Sequence, residues 1–110
     1  NATRMTNRRI NEVIGIKYSD FSNMPKIVDA VRELLNVHQD IDHSIEPVVY
    51  FNRFESSSCD FIVYAFTNTK EWREFLRVKE DILYKISEII EKNGSSIAFP
   101  TTTIDLDQKS

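Results

Sequence analysis

The stretch VVYFNRFESSSCDFIVYAF, residues 48–66, decides the fold. Two runs rich in β-branched and aromatic residues, VVYFNRF (48–54) and CDFIVYAF (59–66), are separated by the polar segment ESSS. Such side chains favour strands, and a short polar cluster between two of these runs favours a turn. The stretch therefore predicts an antiparallel β-hairpin. The segments on either side of it determine what packs against that hairpin.

The residues before the hairpin predict a strand followed by a helix. The segment NEVIGIKY (11–18) alternates between faces, with Ile14, Ile16 and Tyr18 on one of them, as a strand does. After the turn SDFSN, a candidate cap at Ser22 or Asn23 precedes apolar residues at helical spacing. These residues are Met24, Ile27, Val31, Leu34 and Leu35. We therefore expect an amphipathic helix there.

The residues after the hairpin predict a longer helix and a short strand. Asn68 and Glu71 have the spacing of a capping box, and Gly94 stands where a helix-terminating glycine is expected. The apolar stripe between them comprises Trp72, Phe75, Leu76, Ile82, Leu83, Ile86, Ile89 and Ile90. The segment SIAFP (96–100) then predicts a strand, and Pro100 limits its pairing because proline has no N–H to donate.

The resulting order of elements is β-α-β-β-α-β. It is typical of a ferredoxin-like α+β domain, in which two helices cover one face of a four-stranded antiparallel sheet. The alternating tail TTTIDLDQKS (101–110) predicts an extra C-terminal strand. The chain opens with NATRM rather than with Met, so we expect a piece of a longer protein whose first residues include a tag remnant.

Composition and charge restrict the function. The 110 residues suffice for one domain, and the net charge of −3 lacks the basic excess of a general nucleic-acid binder. The single cysteine, Cys59, cannot form an internal disulfide, which indicates a reducing compartment. No apolar run approaches the roughly 20 residues that span a bilayer. We expect a globular domain without a nucleic-acid partner.

The two hairpin strands carry apolar side chains on both faces, although a sheet covered by helices on one face is normally polar on the other. A second apolar face needs a cover. We assign Val49 and Phe51 of the first strand, and Ile62, Tyr64 and Phe66 of the second, to that face. The cover is a neighbouring domain, another subunit or the C-terminal tail, unless loops of the same domain fold over it. We predict an interface at these five residues.

The segment VHQDIDHSIEP (37–47) holds both histidines of the chain. His38, Asp40, Asp42 and His43 are of types that bind metals, but their spacing matches neither a zinc motif nor a calcium loop. The segment connects the first helix to the hairpin, and connecting loops are polar because they face water. We predict no metal site. We predict instead a wet loop whose histidines change charge near neutral pH.

The sequence contains no catalytic or cofactor motif. Cys59 has no histidine near it in sequence to act as a base. ESSS (55–58) lacks the glycines of a nucleophile elbow. YSDFSNMP (18–25), after the first strand, lacks the glycines of a phosphate loop. We expect neither an enzyme nor a bound cofactor.

Three segments together resemble one protein family, the small-conductance mechanosensitive channels or MscS family. NRRINEVIGIKYSD (7–20) is similar to the segment where the family's middle β domain passes into its αβ domain. VYFNRFESSSCDFIVYAFTNTKEW (49–72) resembles its β-hairpin and the entry to its long helix. VKEDILYKISEIIEKNGSSIAFPTTTIDL (78–106) resembles that helix followed by a G-x-x-x-x-F-P turn, in which Phe99 and Pro100 precede a terminal strand.

The resemblance implies a channel that opens under bilayer tension and releases solutes during hypo-osmotic shock. Its subunits would form a ring, commonly a heptamer. Its αβ domains would enclose a vestibule on the cytoplasmic side of the bacterial or archaeal inner membrane, which ions and small solutes cross. Residues 1–9 would end the β domain, residues 10–100 would form the αβ domain, and residues 101–110 would form the terminal strand. Only an N-terminal part outside these residues would enter the membrane.

Two other functions stay open at this point. A ferredoxin-like domain can be a small-molecule-sensing regulatory module of the ACT-like class, although such a module often has a glycine-rich turn at a strand-helix junction. A metal-dependent enzyme built on residues 37–47 is the weaker alternative, because no metal motif is present there.

Overall fold

The structure is a computed structural model that describes residues 7–98 of the chain. Its elements, in chain order, are strand β1 (Arg9–Lys17), a 3-10 helix (Tyr18–Asn23), helix α1 (Met24–Val37), strand β2 (Val48–Phe54), strand β3 (Ser58–Phe66) and helix α2 (Trp72–Lys92). The predicted hairpin is confirmed as β2 and β3, and both predicted helices are present.

The three strands form one antiparallel sheet in the order β1-β3-β2. Strand β3 is central, and Ile62 stands opposite Val13 on one side and Tyr50 on the other. Helix α1 lies beside β2, where the Arg32 Nε donates to the Val49 carbonyl at 2.9 Å. Helix α2 lies over β1, where Lys79 Nζ pairs with Glu12 Oε2 at 2.7 Å. The molecule is therefore an α+β domain with both helices on one face of the sheet.

The core lies between the helices and the inner sheet face. Alternate residues of β3 point into it, namely Cys59, Phe61, Val63 and Ala65, and each is 1% exposed or less. From the predicted helix stripes, Ile27, Val31, Leu35, Ile82 and Ile86 are equally buried, whereas Trp72 and Leu76 are exposed. Burying one large apolar side chain contributes roughly 1.5–3 kcal/mol, so this layer supplies most of the stabilisation.

The predicted caps of the two helices are only partly correct. Asn23 stands at the N-cap position of α1, as predicted, but its side chain donates to Ser95 Oγ at 3.0 Å and makes no capping hydrogen bond. The capping box at Asn68 is also wrong, because the N-cap of α2 is Glu71, whose carboxylate accepts from Glu74 N–H at 2.8 Å. In both places a side chain that a local pattern assigns to a cap is bonded to a segment distant in sequence.

The end of α2 agrees with the prediction. Gly94 has φ +76°, a left-handed conformation that side-chain-bearing residues rarely adopt. It lets Ser95 N–H turn back to the Ile90 carbonyl at 3.0 Å, as in a helix-terminating turn.

The first strand ends one residue earlier than predicted, because Tyr18 starts the 3-10 helix and is 60% exposed.

The predicted fourth strand is reduced to one bridge within residues 7–98. Ile97 pairs with Ile16 in an antiparallel bridge along the free edge of β1. Lys17 N–H donates to the Ser96 carbonyl at 3.1 Å, and Ala98 N–H donates to the Gly15 carbonyl at 2.9 Å. Phe99, Pro100 and the predicted strand in residues 101–110 lie outside the described residues.

The predicted assignment of the second sheet face is partly wrong. Val49 pairs with Val63 and Phe51 with Phe61, so both point toward the helices, and Val49 is only 1% exposed. Alternation within one strand fixes which residues share a face, but the register between strands decides which faces coincide.

Substitutions on α2 test the buried stripe. Ile82→Ala is expected to lower the free energy of unfolding by about 2–5 kcal/mol, because it opens a cavity beneath a side chain that is 0% exposed. Leu76→Ala on the same helix, where the side chain is 40% exposed, should cost about 1 kcal/mol or less. Urea unfolding monitored by circular dichroism measures both. Equal losses would contradict the orientation of α2.

Candidate functional site

The sheet face opposite the helices carries an apolar surface, here called the outer patch. Its members are Val13, Val48, Tyr50, Ile62, Tyr64 and Phe66. Val13 is 59% exposed and Tyr50 58% exposed, and the other four are half-buried. Among residues 7–98, no helix or strand covers this face. A contiguous exposed apolar surface of this kind is typical of a protein interface.

Aromatic and cationic side chains give the outer patch its chemistry. Tyr64 and Phe66 meet edge to face with ring centroids 5.7 Å apart. The guanidinium of Arg9 lies 5.7 Å from the Tyr64 ring, and that of Arg32 lies 4.8 Å from the Tyr50 ring. Tyrosine and arginine are enriched in the centres of protein interfaces, so the composition suits a protein partner.

The connection from α1 to β2, residues 38–47, is called the histidine loop. The wet loop predicted here is only partly exposed. His38 is 9% exposed and Ile41 1%, whereas His43 lies at the surface. Ile41 forms an antiparallel bridge with Thr67, and Asp42 N–H donates to the Phe66 carbonyl at 2.8 Å. These bonds hold the histidine loop against the end of β3.

Both ring nitrogens of His38 have partners. Nε2 lies 2.8 Å from Asp81 Oδ2 on α2, and Nδ1 accepts from Asp40 N–H at 3.1 Å. His43 makes one such contact, from Nε2 to the Leu35 carbonyl at 3.0 Å. The two histidines that the sequence groups together therefore have different environments.

Ion pairs surround His38. Asp40 pairs with Arg77 at 3.2 Å, Arg77 also pairs with Glu74, and Asp81 pairs with Lys85 at 2.9 Å. The hydrogen bond from His38, and after it the bond from Lys85, lowers the pKa of the Asp81 carboxyl. These contacts fasten the histidine loop to α2 as well as to β3.

Asp42 lies in the middle of the histidine loop and is held locally. Its Oδ1 accepts from Ser44 N–H at 3.0 Å and from Ser44 Oγ at 2.6 Å, and these bonds lower the pKa of the Asp42 carboxyl. Asp42 thus shapes a turn, and its carboxylate is separate from the ion pairs around His38.

Metal binding and thiol chemistry depend on how the His, Cys, Asp and Glu side chains of the described residues are placed. In residues 7–98, no three His, Cys, Asp or Glu side chains approach closely enough to share a metal ion. Cys59 is 0% exposed and lies 3.7 Å from the Ile16 carbonyl, and burial raises the pKa of its thiol. A raised pKa favours the unreactive thiol form.

The family model described as "Mechanosensitive ion channel MscS, C-terminal" matches residues 10–97. These residues include all the described strands and helices apart from Arg9, the first residue of β1. The chain belongs to the MscS family. The predicted resemblance is confirmed.

Curated relatives support the same family. The chain is 44% identical over 107 residues to the "Low conductance mechanosensitive channel YnaI" of Escherichia coli, and the alignment covers 97% of the chain and 31% of that protein. It is 37% identical over 109 residues to an MscS family protein of Aquifex aeolicus, and this alignment covers 98% of the chain and 30% of that protein. The chain thus spans less than a third of the length of these MscS relatives.

Two solved channel-length chains share the fold over the part that this chain matches. The cryo-EM structure of Arabidopsis thaliana MSL1 superposes with a TM-score of 0.80 at 22% identity, over 91% of this chain and 36% of that one. The closed-state crystal structure of Helicobacter pylori MscS gives 0.72 at 20% identity, over 88% and 37% of the two chains. Neither helix of this MscS domain, within residues 7–98, has the length and apolar character needed to cross a bilayer.

Sequence reasoning missed several residues of the outer patch and several contacts of the histidine loop. Val13 and Tyr50 join the outer patch only through the strand register. Asp81 and Arg77 contact the histidine loop from positions 43 and 37 residues away in the chain. No local pattern signals such distant partners, because only the packing of α1 on α2 brings them together.

Asp81→Asn tests the anchoring of the histidine loop. A carboxyl whose pKa is lowered in the folded state stabilises the protein above its unfolded pKa, and that contribution is lost as pH falls through the folded pKa. We expect Asp81→Asn to be less stable than the wild type at neutral pH. The difference should shrink well below pH 3.8, the ordinary value for this group.

Urea unfolding at both pH values measures the difference. Glu33→Gln, at an exposed position on α1, is the control and should stay within about 0.5 kcal/mol of the wild type. A stability gap for Asp81→Asn that is equal at neutral and acid pH would contradict the account.

Proposed function

We propose that this chain is the vestibule domain of a mechanosensitive channel, located on the cytoplasmic side of a bacterial or archaeal inner membrane. The family match over residues 10–97 carries the proposal. The parent protein would release ions and small solutes when membrane tension rises. Its membrane-spanning part would lie outside these residues, and the αβ domain would occupy residues 10–100 between the end of a β domain and a terminal strand.

The domain would contribute structure and solute filtering. The outer patch supports assembly with copies of the same chain, because an exposed sheet face with tyrosines and arginines suits a subunit contact. Contacts between two different faces of identical subunits generate closed rings, and a heptamer is the ring that the family resemblance implies. Acidic side chains of the histidine loop, Asp42 and Glu46, would add to the charge of the vestibule wall.

We propose no catalytic role. The buried thiol of Cys59 and the membership of a channel family both speak for a structural domain. The alternative of an ACT-like small-molecule-sensing module has no support from the relatives, whose descriptions name MscS family channels or proteins. The metal-dependent alternative has no support either, because His38 already has a carboxylate and a backbone N–H as partners.

We also propose that residues 96–100, which include the bridge at Ile97, are the fourth strand, β4, of a ferredoxin-like sheet with the order β4-β1-β3-β2. Gly15 and Lys17 direct their backbone groups to the free edge of β1. By the two-residue period of a strand, Val13 does the same and would stand opposite Pro100. Proline can accept there but cannot donate, so pairing would end at this point.

Arginine substitutions test the subunit contact in the full-length channel. Val13→Arg places a charge in the outer patch and should prevent or weaken ring assembly, because an unpaired charge at an interface must lose its water. Native mass spectrometry of the detergent-solubilised protein measures the number of subunits. Survival of cells after hypo-osmotic shock measures channel activity.

The matched control is Val37→Arg at the end of α1, where the valine is 67% exposed and lies outside the outer patch. It should assemble and function as the wild type does. A full ring and normal survival for Val13→Arg would refute the assignment of the outer patch to a subunit contact. If cells survive the shock equally well with the wild-type channel and without any channel, the channel function itself is refuted.

Hydrogen exchange tests the fourth strand. The Val13 amide should exchange slowly in the whole chain and faster in a chain cut after Ala98, because the cut removes the acceptor at Pro100. The Lys17 amide, which donates to Ser96, is the internal control and should stay protected in both. Equal exchange of Val13 in the two chains would mean that β4 does not extend past the bridge.

A further inference from the structure

The neutral tautomer of His38 follows from its two contacts. A backbone N–H can only donate, so the Nδ1 atom that faces Asp40 N–H at 3.1 Å carries no proton. The Nε2 atom, 2.8 Å from Asp81 Oδ2, then carries the ring proton and donates it to the carboxylate. The arrangement in the structure therefore fits the neutral ring in one tautomer only.

Protonation of His38 affects its two contacts in opposite ways. The second proton goes to Nδ1 and points at Asp40 N–H, so two donors face each other and that hydrogen bond is lost. At Nε2 the bond to Asp81 gains a full opposite charge and becomes stronger. The imidazolium therefore keeps its hold on α2 and loses its hold on the histidine loop.

We propose that His38 is a proton-sensitive latch that docks the histidine loop when neutral and releases Asp40 when protonated. Release at Asp40 affects more than one bond. Asp40 also pairs with Arg77, and its carbonyl accepts from Asn68 N–H at 3.0 Å. A shift of Asp40 therefore reaches α2 and the segment that follows β3.

Charged groups on α2 and on the histidine loop lie around His38. Asp81 and Lys85 lie on α2, Asp40 lies on its own loop, and Arg77 joins Asp40 to Glu74, which makes three negative and two positive groups. Leu34 and Val37 of α1 line the same surface cavity as His38 and carry no charge. Of the two ring contacts, the one at Nδ1 is the contact that protonation breaks.

The latch lies next to the proposed subunit contact. Asp42 N–H of the histidine loop donates to the carbonyl of Phe66, a member of the outer patch. Proton concentration would thereby act on the edge of that patch, and this last link rests on the proposed function. The latch itself involves only contacts within one chain.

Nuclear magnetic resonance of this chain at about pH 8 and about pH 5, the range in which histidines titrate, tests the latch directly. The nitrogen spectrum of the ring should show an unprotonated Nδ1 at the higher pH and two protonated nitrogens at the lower. The protection of the Asp40 amide against hydrogen exchange, corrected for intrinsic rate, should fall about three- to tenfold, the value of one hydrogen bond.

Two variants of His38 separate the two contacts. His38→Asn retains an acceptor near the position of Nδ1 but does not titrate, so Asp40 protection should be the same at both pH values. His38→Gln retains a donor toward Asp81 but has no acceptor at the position of Nδ1, so Asp40 protection should be low at both pH values. His43→Gln removes the other histidine and should reproduce the pH response of the wild type.

Three results would overturn the latch. One is a His38 ring that stays neutral at the lower pH. Another is a wild-type Asp40 amide whose protection does not change while the ring titrates. The third is a pH response that persists in His38→Asn. Because these measurements need no assembled channel, they succeed or fail independently of the arginine substitutions that test the ring.

Discussion

The pairing of β3 on both of its edges is the constraint on which the rest of the structure depends. A strand with neighbours on both sides must satisfy all its backbone groups within the sheet, and its inner side chains must be apolar. Cys59, Phe61, Val63 and Ala65 meet that requirement, with exposure of 1% or less. Both helices pack over this row, which leaves Ile62, Tyr64 and Phe66 on a face that no described element covers.

The end of β3 has a second role, because the histidine loop is fastened to it. Ile41 bridges Thr67, and the Asn68 side chain donates to the Gln39 and Ile41 carbonyls at 3.2 Å. The polar contacts of the loop thus connect α1, α2 and the sheet at one end of the domain. This junction reaches Phe66, at the edge of the outer patch, through the Asp42 N–H.

The sequence predicted the elements well and their mutual relations less well. The bounds of β2, the extent of α1 and the stop at Gly94 follow from composition, periodicity and one glycine. The cap at Asn68 was wrong because distant carbonyls compete for its side chain. The face of Val49 was wrong because no pattern within β2 specifies which residue of β3 stands opposite it.

By itself, the sequence determined the α+β class, the order of the first five strands and helices and membership of the MscS family, since all three depend on residue types and their spacing along the chain. Only the tertiary structure decided that His38 is buried against Asp81 and that the outer patch includes Val13 and Tyr50. The physical reason is that burial, strand register and ring tautomer are set by contacts between residues far apart in sequence. These contacts turn two neighbouring histidines into one buried and one exposed group.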